Sequence, residues 1–218
     1  MSAPAFTEAS VSASPSSFPG ARREGGQAQQ GHNVLSVEAT AIPEVKIVTP
    51  RRIGDHRGYF SETYNRKRFA EAGIAVDFVQ DNQSLSAAVG TIRGLHFQSA
   101  PFAQDKLVRT LRGRILDVAV DLRRSSPTFG RHVAVELSAE NGRQLLVPVG
   151  FAHGFCTLEP DTEIHYKVSA YYSAAHDHGL AWDDPNLAIA WPVDAASATL
   201  SDKDRRQPRL AELPAYFG

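Results

Sequence analysis

Short runs of alternating apolar and polar residues dominate the chain after residue 34. In residues 116–122 every second position is Leu or Val, which is the period of a half-buried β-strand. Residues 132–137 repeat this pattern, and residues 43–48, 144–148 and 164–168 are further strand candidates. Turn-forming pairs separate these runs, at Ser126-Pro127, Phe129-Gly130, Asn141-Gly142 and Val149-Gly150.

One segment, residues 65–72, has a clear helical pattern, with Asn65 as the expected N-cap and Gly73 just past its end. Many short strands at close spacing, with almost no long helix, are typical of an antiparallel sandwich or a closed barrel. The sequence therefore predicts an all-β fold with a few short helices.

Residues 1–33 differ in composition from the rest of the chain. They are rich in Ala, Ser, Gly, Pro and Gln, and Phe6 and Phe18 are their only aromatic residues. Such a segment buries too little apolar surface to offset its ordering entropy, so we expect a disordered tail before a single domain at residues 34–218. We expect neither a secretory signal nor a membrane helix, because no sufficiently long apolar stretch occurs.

Charge and cysteine content exclude several classes of protein. The 218 residues include 23 Lys and Arg against 24 Asp and Glu, giving a net charge of −1, so the broad basic field of a nucleic-acid-binding protein is missing. A single cysteine, Cys156, excludes an internal disulfide framework and Cys-rich metal sites. We expect a cytoplasmic protein that binds neither nucleic acid nor membrane.

Two polar clusters precede the middle of the chain. Residues 54–62 place Arg57 between two glycines, which predicts a polar hairpin. Residues 79–84 contain three carboxamides and one carboxylate. We expect a loop there whose side chains either cap their own backbone or form a hydrogen-bonding surface for a polar ligand.

The segment 90–98 sets Arg93 and His96 inside an apolar run, and Gly94 between them allows a bulge or a close backbone approach. If these side chains are buried they must be paired or functional, because burying an unpaired polar group is costly. The alternative is a core histidine with its hydrogen bonds satisfied beside an arginine that extends to solvent. Lys106 begins the next strand and could add positive charge nearby, or it is a solvated strand end.

Two further candidates lie near residues 147–168. His153 stands between glycines and aromatic residues, and we expect it on a tight turn at a site. Tyr166 shares one strand face with Ile164 and Val168, so it should point into the barrel, either as a structural hydroxyl or as a functional one. A metal site needs three or four clustered ligands, and His96 and His153 stand apart, so we expect no metal.

At these residues the chain resembles the dTDP-4-dehydrorhamnose 3,5-epimerases of the cupin superfamily. The resemblance runs from about residue 42 to residue 204. Its segments, in order, are 55–62, 79–84, 92–98, 106–109, 117–130, 150–155, 166–172, 182–185, 191–192 and 200–204. It implies a cupin-type antiparallel jelly-roll barrel that works as a homodimer with no metal and no organic cofactor.

The resemblance also implies a reaction and its residues. The substrate would be a dTDP-linked 4-keto-6-deoxy sugar on the route to dTDP-L-rhamnose, with inversion at carbons 3 and 5. His96 would be the general base, Tyr166 the acid on the opposite ring face, and Asp204 the carboxylate that orients His96. Lys106 would hold the developing oxyanion. The substrate contacts implied are Arg57, Glu62, Gln80, Asp81, Asn82, Arg93, Lys106, His153, Asp177 and Lys203.

Two positions depart from the family pattern, and other functions compete. Gln83 stands where many members carry His, and Asp177 where a longer Glu is frequent. A relative that inverts only carbon 3 or only carbon 5 is the nearest alternative. A non-catalytic sugar-nucleotide-binding barrel would not need a base, its carboxylate and an acid together. A metal-dependent cupin is disfavoured because the ligand cluster is missing.

Overall fold

Antiparallel β-strands are the main regular structure of residues 34–218, which are the part of the chain that this computed structural model describes. The predicted tail, residues 1–33, lies outside the described residues. The strands are β1 (Leu35–Ala39), β2 (Lys46–Pro50), β3 (Ile53–Asp55), β4 (Gly58–Phe60), β5 (Gln80–Ser86), β6 (Ile92–Gln98), β7 (Lys106–Arg112), β8 (Arg114–Asp121), β9 (His132–Ser138), β10 (Gln144–Val147), β11 (Phe151–Thr157), β12 (Thr162–Val168) and β13 (Asp177–Gly179).

Helical structure is scarce, as predicted. The helix α1 (Arg66–Glu71) begins where expected, because the Asn65 side chain accepts a hydrogen bond from the Arg68 N–H at 3.2 Å. Short 3₁₀ turns lie at Ala174–His176, Asp204–Arg206 and Leu210–Glu212. Within residues 34–218, no helix has the length and apolar character needed to cross a membrane.

Two antiparallel sheets pack face to face. One has the order β1-β2-β10-β7-β12-β5 and the other β13-β6-β11-β8-β9, while β3 and β4 form a separate hairpin. Between the sheets lies a core to which both contribute, for example Val108, Leu145 and Ile164 from the first and Ile115 and Phe151 from the second. The predicted all-β, cupin-type antiparallel barrel is confirmed.

The outer face of the five-stranded sheet is also buried. Val118 and Val120 of β8 pack there against Leu180, Leu187 and Leu213 of the C-terminal segment. The prediction that β8 is half-buried is therefore wrong. The polar positions of β8 face the barrel interior, and its apolar positions are covered by the C-terminal segment. The alternation within β8 cannot predict this cover, because the covering residues are remote in the sequence.

Two segments expected as a loop and a turn are strands. Residues 80–86 form β5, because each of them pairs with a residue of β12. His153 lies in the middle of β11, between β6 and β8, and is only 7% exposed. Pairing with neighbouring strands has overridden the local turn signals of glycine and the polar side chains.

A buried carboxylate holds the turn after β8. Asp121 is fully buried, and its two oxygens accept hydrogen bonds from the Arg123 N–H, Nε and guanidinium nitrogen at 2.7–2.9 Å. The hydroxyls of Ser126 and Thr128 also donate to it, at 2.6 and 2.7 Å. Burial opposes ionisation, but these donors outweigh it and lower the pKa of Asp121 to about 2.

This network predicts acid-dependent stability. The Asp121 carboxyl has an ordinary pKa of about 4 when unfolded, so its contribution is complete above pH 4 and is lost as pH falls towards 2. Asp121→Asn should lower the free energy of unfolding at pH 7 by roughly 2–4 kcal/mol. Urea unfolding should also show a smaller loss of stability between pH 4 and pH 2 in the variant than in the wild type. Equal losses in the two proteins would contradict this assignment.

Candidate active site

A cavity of about 470 Å³ opens between the two sheets. Strands β6 and β11 of the five-stranded sheet and strands β5, β7 and β12 of the six-stranded sheet supply its walls, and residues 199–204 complete it. Its polar side chains include His96, Lys106, His153, Tyr166 and Asp204. Residues far apart in the sequence therefore meet in one cavity.

A bulge at Gly94 aims both histidines into this cavity. His96 pairs with His153 and Arg93 pairs with Phe155, so two residues of β6 oppose one residue of β11. Gly94 has a φ of +123°, and a Cβ there would lie 2.6 Å from the Gly154 Cα. No other residue type fits this close approach, and the bulge expected from the sequence is present.

His96 is held by a carboxylate from the C-terminal segment. Its Nε2 lies 2.6 Å from Oδ1 of Asp204, a residue that is only 4% exposed. Burial raises the pKa of the Asp204 carboxyl, but hydrogen bonds with His96, Ser201 and the Gly94 N–H bring it below its ordinary value. The carboxylate is therefore ionised at neutral pH and accepts the Nε2–H of His96.

A second histidine–aspartate pair lies deeper in the barrel. His153 Nε2 is 2.7 Å from Oδ1 of Asp117, which is fully buried, while Oδ2 of Asp117 has no hydrogen-bond partner among residues 34–218. Sequence reasoning missed Asp117 as a site residue, although a carboxylate in the middle of an apolar strand was a usable signal. The pair fixes the orientation of the His153 ring in the cavity wall.

Lys106 is a buried cation beside His96. It is 8% exposed, and its Nζ donates to the His96 carbonyl at 3.3 Å. Burial lowers the pKa of Lys106 to about 8, although the charges of Asp177 and Asp117 act in the opposite direction. The ammonium group is therefore still charged at neutral pH, and it can lose its proton within the physiological range.

Tyr166 enters the cavity from the opposite sheet. It packs with Ile164 against the barrel core, on the face predicted from the sequence. Burial raises the pKa of Tyr166, and the charge of Asp177 contributes to the rise. The phenol is therefore protonated at neutral pH and available as a proton donor.

Two cations line the cavity with their geometry fixed by neighbours. Arg93 donates from Nε to the Ser86 hydroxyl at 3.0 Å and from a terminal nitrogen to the Leu85 carbonyl at 2.9 Å. Lys203 forms an ion pair with Asp177 at 2.5 Å. Asp177 is not part of the cavity wall, and it reaches the site through this contact with Lys203.

The strand β5 divides its three predicted contact residues between two faces. Asn82 pairs with Tyr166 in the sheet, and Gln80 lies two residues away, so both share the face of Tyr166. Asp81 lies on the opposite face, where its carboxylate accepts a hydrogen bond from Lys167 at 2.8 Å. The structure does not bring Asp81 to the cavity.

Arg57 and Glu62 also lie away from the cavity of their own chain. Arg57 sits in the exposed turn between β3 and β4 and forms an ion pair with Asp55. Glu62 forms an ion pair with Arg68 at 3.1 Å. As for metals, residues 34–218 contain no group of three or more His, Cys, Asp and Glu side chains placed to hold an ion, and the expected lack of a metal stays a prediction.

Known proteins match most of the chain. The profile of the dTDP-4-dehydrorhamnose 3,5-epimerase family matches residues 39–212. A dTDP-4-dehydrorhamnose 3,5-epimerase of Sinorhizobium fredii is 58% identical over 180 residues, covering 83% of this chain and 92% of the relative.

Solved structures agree with this similarity. The Bacillus anthracis dTDP-4-dehydrorhamnose 3,5-epimerase, determined with TDP and PPi bound, is 55% identical with a TM-score of 0.78, covering 80% of this chain and 99% of that one. The Legionella pneumophila dTDP-6-deoxy-D-glucose-3,5-epimerase, determined with dTDP-4-keto-L-rhamnose, is 44% identical with a TM-score of 0.79, covering 83% and 95%.

The Gly94 contact predicts a steric cost that can be separated from backbone strain. Gly58 has a similar φ, +129°, but nothing lies within 4 Å of a Cβ built there. Gly58→Ala should cost at most roughly 1–3 kcal/mol from strain. Gly94→Ala adds overlap with the β11 backbone and should cost roughly 1–3 kcal/mol more. Urea unfolding of both variants measures the difference in their free energies of unfolding. Equal stabilities would contradict the steric cost, because they would show that the β6 and β11 backbones can move apart at Gly94 without loss of stability.

Proposed function

The chain belongs to the dTDP-4-dehydrorhamnose 3,5-epimerase family, and we propose that His96, Asp204 and Tyr166 carry the proton transfers of that reaction. The protein is an isomerase of dTDP-L-rhamnose biosynthesis that inverts carbons 3 and 5 of dTDP-4-keto-6-deoxy-D-glucose. The observation that carries the proposed roles is the 2.6 Å contact of His96 with a buried carboxylate, in a cavity that Tyr166 enters from the opposing sheet.

His96 has the arrangement that a general base needs. The 4-keto group of the substrate acidifies the hydrogens on carbons 3 and 5, so a base can remove them to form an enolate. Because Nε2 donates its hydrogen to Asp204, Nδ1 keeps the lone pair that accepts the proton. The Asp204 carboxylate also stabilises the imidazolium that results, and a positioned base of this kind contributes ~10²–10⁴-fold to the rate.

Inversion requires that a proton return to the opposite face of the sugar ring. His96 belongs to β6 and Tyr166 to β12, which lie in opposing sheets, so the two groups approach a bound ring from different sides. Burial keeps Tyr166 protonated at neutral pH. Tyr166 is therefore the acid that completes the inversion.

Lys106 is placed to stabilise the negative charge that develops on the 4-keto oxygen. Its ammonium group lies in the cavity wall and donates to the His96 carbonyl. In a buried site a well-placed donor to an oxyanion contributes about 3–4 kcal/mol. The ring of His153, oriented by Asp117, lies in the same wall.

The diphosphate of the substrate needs cations at the cavity, and Arg93 and Lys203 supply them. Gln80 and Asn82, on the face of Tyr166, are further contacts, whereas Asp81 would have to act from the other face of β5.

A second subunit explains the position of the remaining contact residues. Arg57 and Glu62 lie outside the cavity of their own chain, and the hairpin that carries Arg57 exposes 61% of Tyr59 and 69% of Phe60. We propose a homodimer in which these residues reach the partner's cavity. Such exposed aromatic surface is typical of an interface. We also propose that the protein works in the cytoplasm, where its single cysteine stays reduced.

Isotope exchange separates the base from the acid. His96→Asn removes the proton acceptor, so no deuterium should enter carbon 3 or carbon 5 in deuterated water. Tyr166→Phe keeps the base, so exchange should continue while net epimerisation falls by ~10²–10⁴-fold. Asp204→Asn should show slowed exchange, because the imidazole loses its orienting charge. NMR of the dTDP-4-keto sugar measures exchange and inversion at each carbon, including inversion at only one of them.

The matched control is Tyr64→Phe, which removes a tyrosine hydroxyl beside α1, away from the cavity. It should leave both exchange and inversion unchanged. Substantial exchange in His96→Asn would mean that another residue is the base, and the roles proposed for Asp204 and Tyr166 would fall with it.

Lys106 predicts an alkaline limit to activity. Because burial lowers its pKa to about 8, the wild-type kcat/KM should fall as pH rises through about 8 and the oxyanion loses its cation. Lys106→Arg keeps its charge well above that pH, so any remaining activity should have its alkaline limit at higher pH. The exposed Lys67→Arg is the control and should not change the profile. An unchanged limit in Lys106→Arg would assign the titration to another group.

A further inference from the structure

The turn that carries Asp204 begins at Ser201. The Ser201 hydroxyl accepts a hydrogen bond from the Asp204 N–H at 3.1 Å, and the Ser201 carbonyl accepts one from the Arg205 N–H at 3.1 Å. This is the geometry of an N-cap, in which the cap side chain satisfies a free N–H of the first turn. We infer that Ser201 is a positioning residue for the reaction: it fixes this turn so that the Asp204 carboxylate is held against His96.

The sequence of the turn has an unusual use of its carboxylate. Ser201-Asp202-Lys203-Asp204 is a capping-box pattern, with a serine at the cap and an aspartate three residues later. In a capping box the side chain at that third position returns to the N–H of the cap residue. Here the carboxylate reaches His96 Nε2 at 2.6 Å and accepts a hydrogen bond from the Gly94 N–H. The Ser201 hydroxyl therefore caps the turn, and the carboxylate serves His96.

Backbone hydrogen bonds on both sides of the turn hold the rest of the segment in place. Before the turn, the Thr199 carbonyl accepts a hydrogen bond from the N–H of Ile92 on β6 at 2.9 Å. After the turn, the Pro208 carbonyl accepts one from the N–H of Ala181, just beyond β13, at 2.8 Å. Removing the Ser201 hydroxyl should therefore loosen the turn without releasing the segment from the barrel.

The Ser201 hydroxyl also acts on the charge of the carboxylate. Burial raises the pKa of the Asp204 carboxyl, whereas hydrogen bonds with His96 and with Ser201 lower it. A carboxylate without the Ser201 contact would hold a proton on the His96–Asp204 pair more strongly. Substitution of Ser201 leaves unchanged the other charged or titratable side chains that line the cavity, namely Arg93, Lys106, His153, Tyr166 and Lys203.

The inference rests on the proposed role of Asp204, and steady-state kinetics provide the first test. Ser201→Ala should lower kcat by about 10-fold, the effect of one lost hydrogen bond, and should leave KM for the dTDP-4-keto sugar within about twofold. The acid limit of kcat/KM should move to higher pH by about 0.5–1. Ser201→Thr keeps the hydroxyl and should restore all three properties. If Ser201→Ala does not fold, Ser201→Gly replaces it, because glycine is tolerated at an N-cap but has no hydroxyl.

Nitrogen-15 NMR of the imidazole rings gives a readout that does not depend on catalysis. In wild-type protein the His96 ring should be a single tautomer, with its hydrogen on the Nε2 that faces Asp204. In Ser201→Ala the ring should be a mixture of both tautomers, because Asp204 no longer holds Nε2 firmly. The His96 signals are identified as those missing from the spectrum of His96→Asn.

The matched control is Asp194→Ala, in the same C-terminal segment. The Asp194 carboxylate accepts a hydrogen bond from the Ser197 N–H at 2.9 Å, and its carbonyl accepts one from the Ala198 N–H at 3.0 Å, which is the arrangement found at Ser201. Asp194 lies outside the cavity. Asp194→Ala should therefore lower the urea midpoint, as Ser201→Ala does, but leave kcat, the acid limit and the His96 tautomer unchanged.

Three results would overturn the inference. Equal kinetic effects of the two substitutions would mean that a cap in this segment acts only through stability. A rise in KM with unchanged kcat would make Ser201 a substrate contact. An unchanged His96 tautomer in Ser201→Ala would show that Asp204 stays in place without the cap. Deuterium exchange in His96→Asn, by contrast, would overturn the proposed function and leave the tautomer test of Ser201 valid.

Discussion

A charged side chain inside a β-barrel has to find a partner, and most of the site follows from this constraint. Leaving one member of a buried ion pair alone costs roughly 3–5 kcal/mol, a large part of the stability of a domain. Here Asp117 binds His153, Asp204 binds His96, and Lys106 donates to the His96 backbone. The proposed general base, His96, is therefore one of the groups whose pairing allows the barrel interior to be polar.

The C-terminal segment links the stability of the barrel to its chemistry. Leu180, Leu187 and Leu213 cover the outer face of the five-stranded sheet, so the apolar side of β8 is buried by a segment that follows the last strand of that sheet. Between these contacts the segment supplies Lys203 and Asp204 to the cavity. Packing on one side of the sheet and positioning of the base on the other side therefore depend on one piece of chain.

Local pattern was sufficient for much of the fold. The alternation in residues 132–137, the cap at Asn65 and the shared face of Ile164 and Tyr166 each depend on neighbours a few residues away, and each is present in the structure. Gly94 likewise predicted a bulge, because only glycine tolerates a close backbone contact.

Family resemblance, rather than periodicity, singled out Asp204, which stands 108 residues from His96 in the sequence. The tertiary structure decided that these two groups touch, that Asp117 partners His153, and that Asp81 faces away from the cavity. It also turned an expected loop into β5 and buried both faces of β8. The physical reason is that periodicity records which residues share a face of a strand, whereas burial and pairing depend on what remote segments lay against that face.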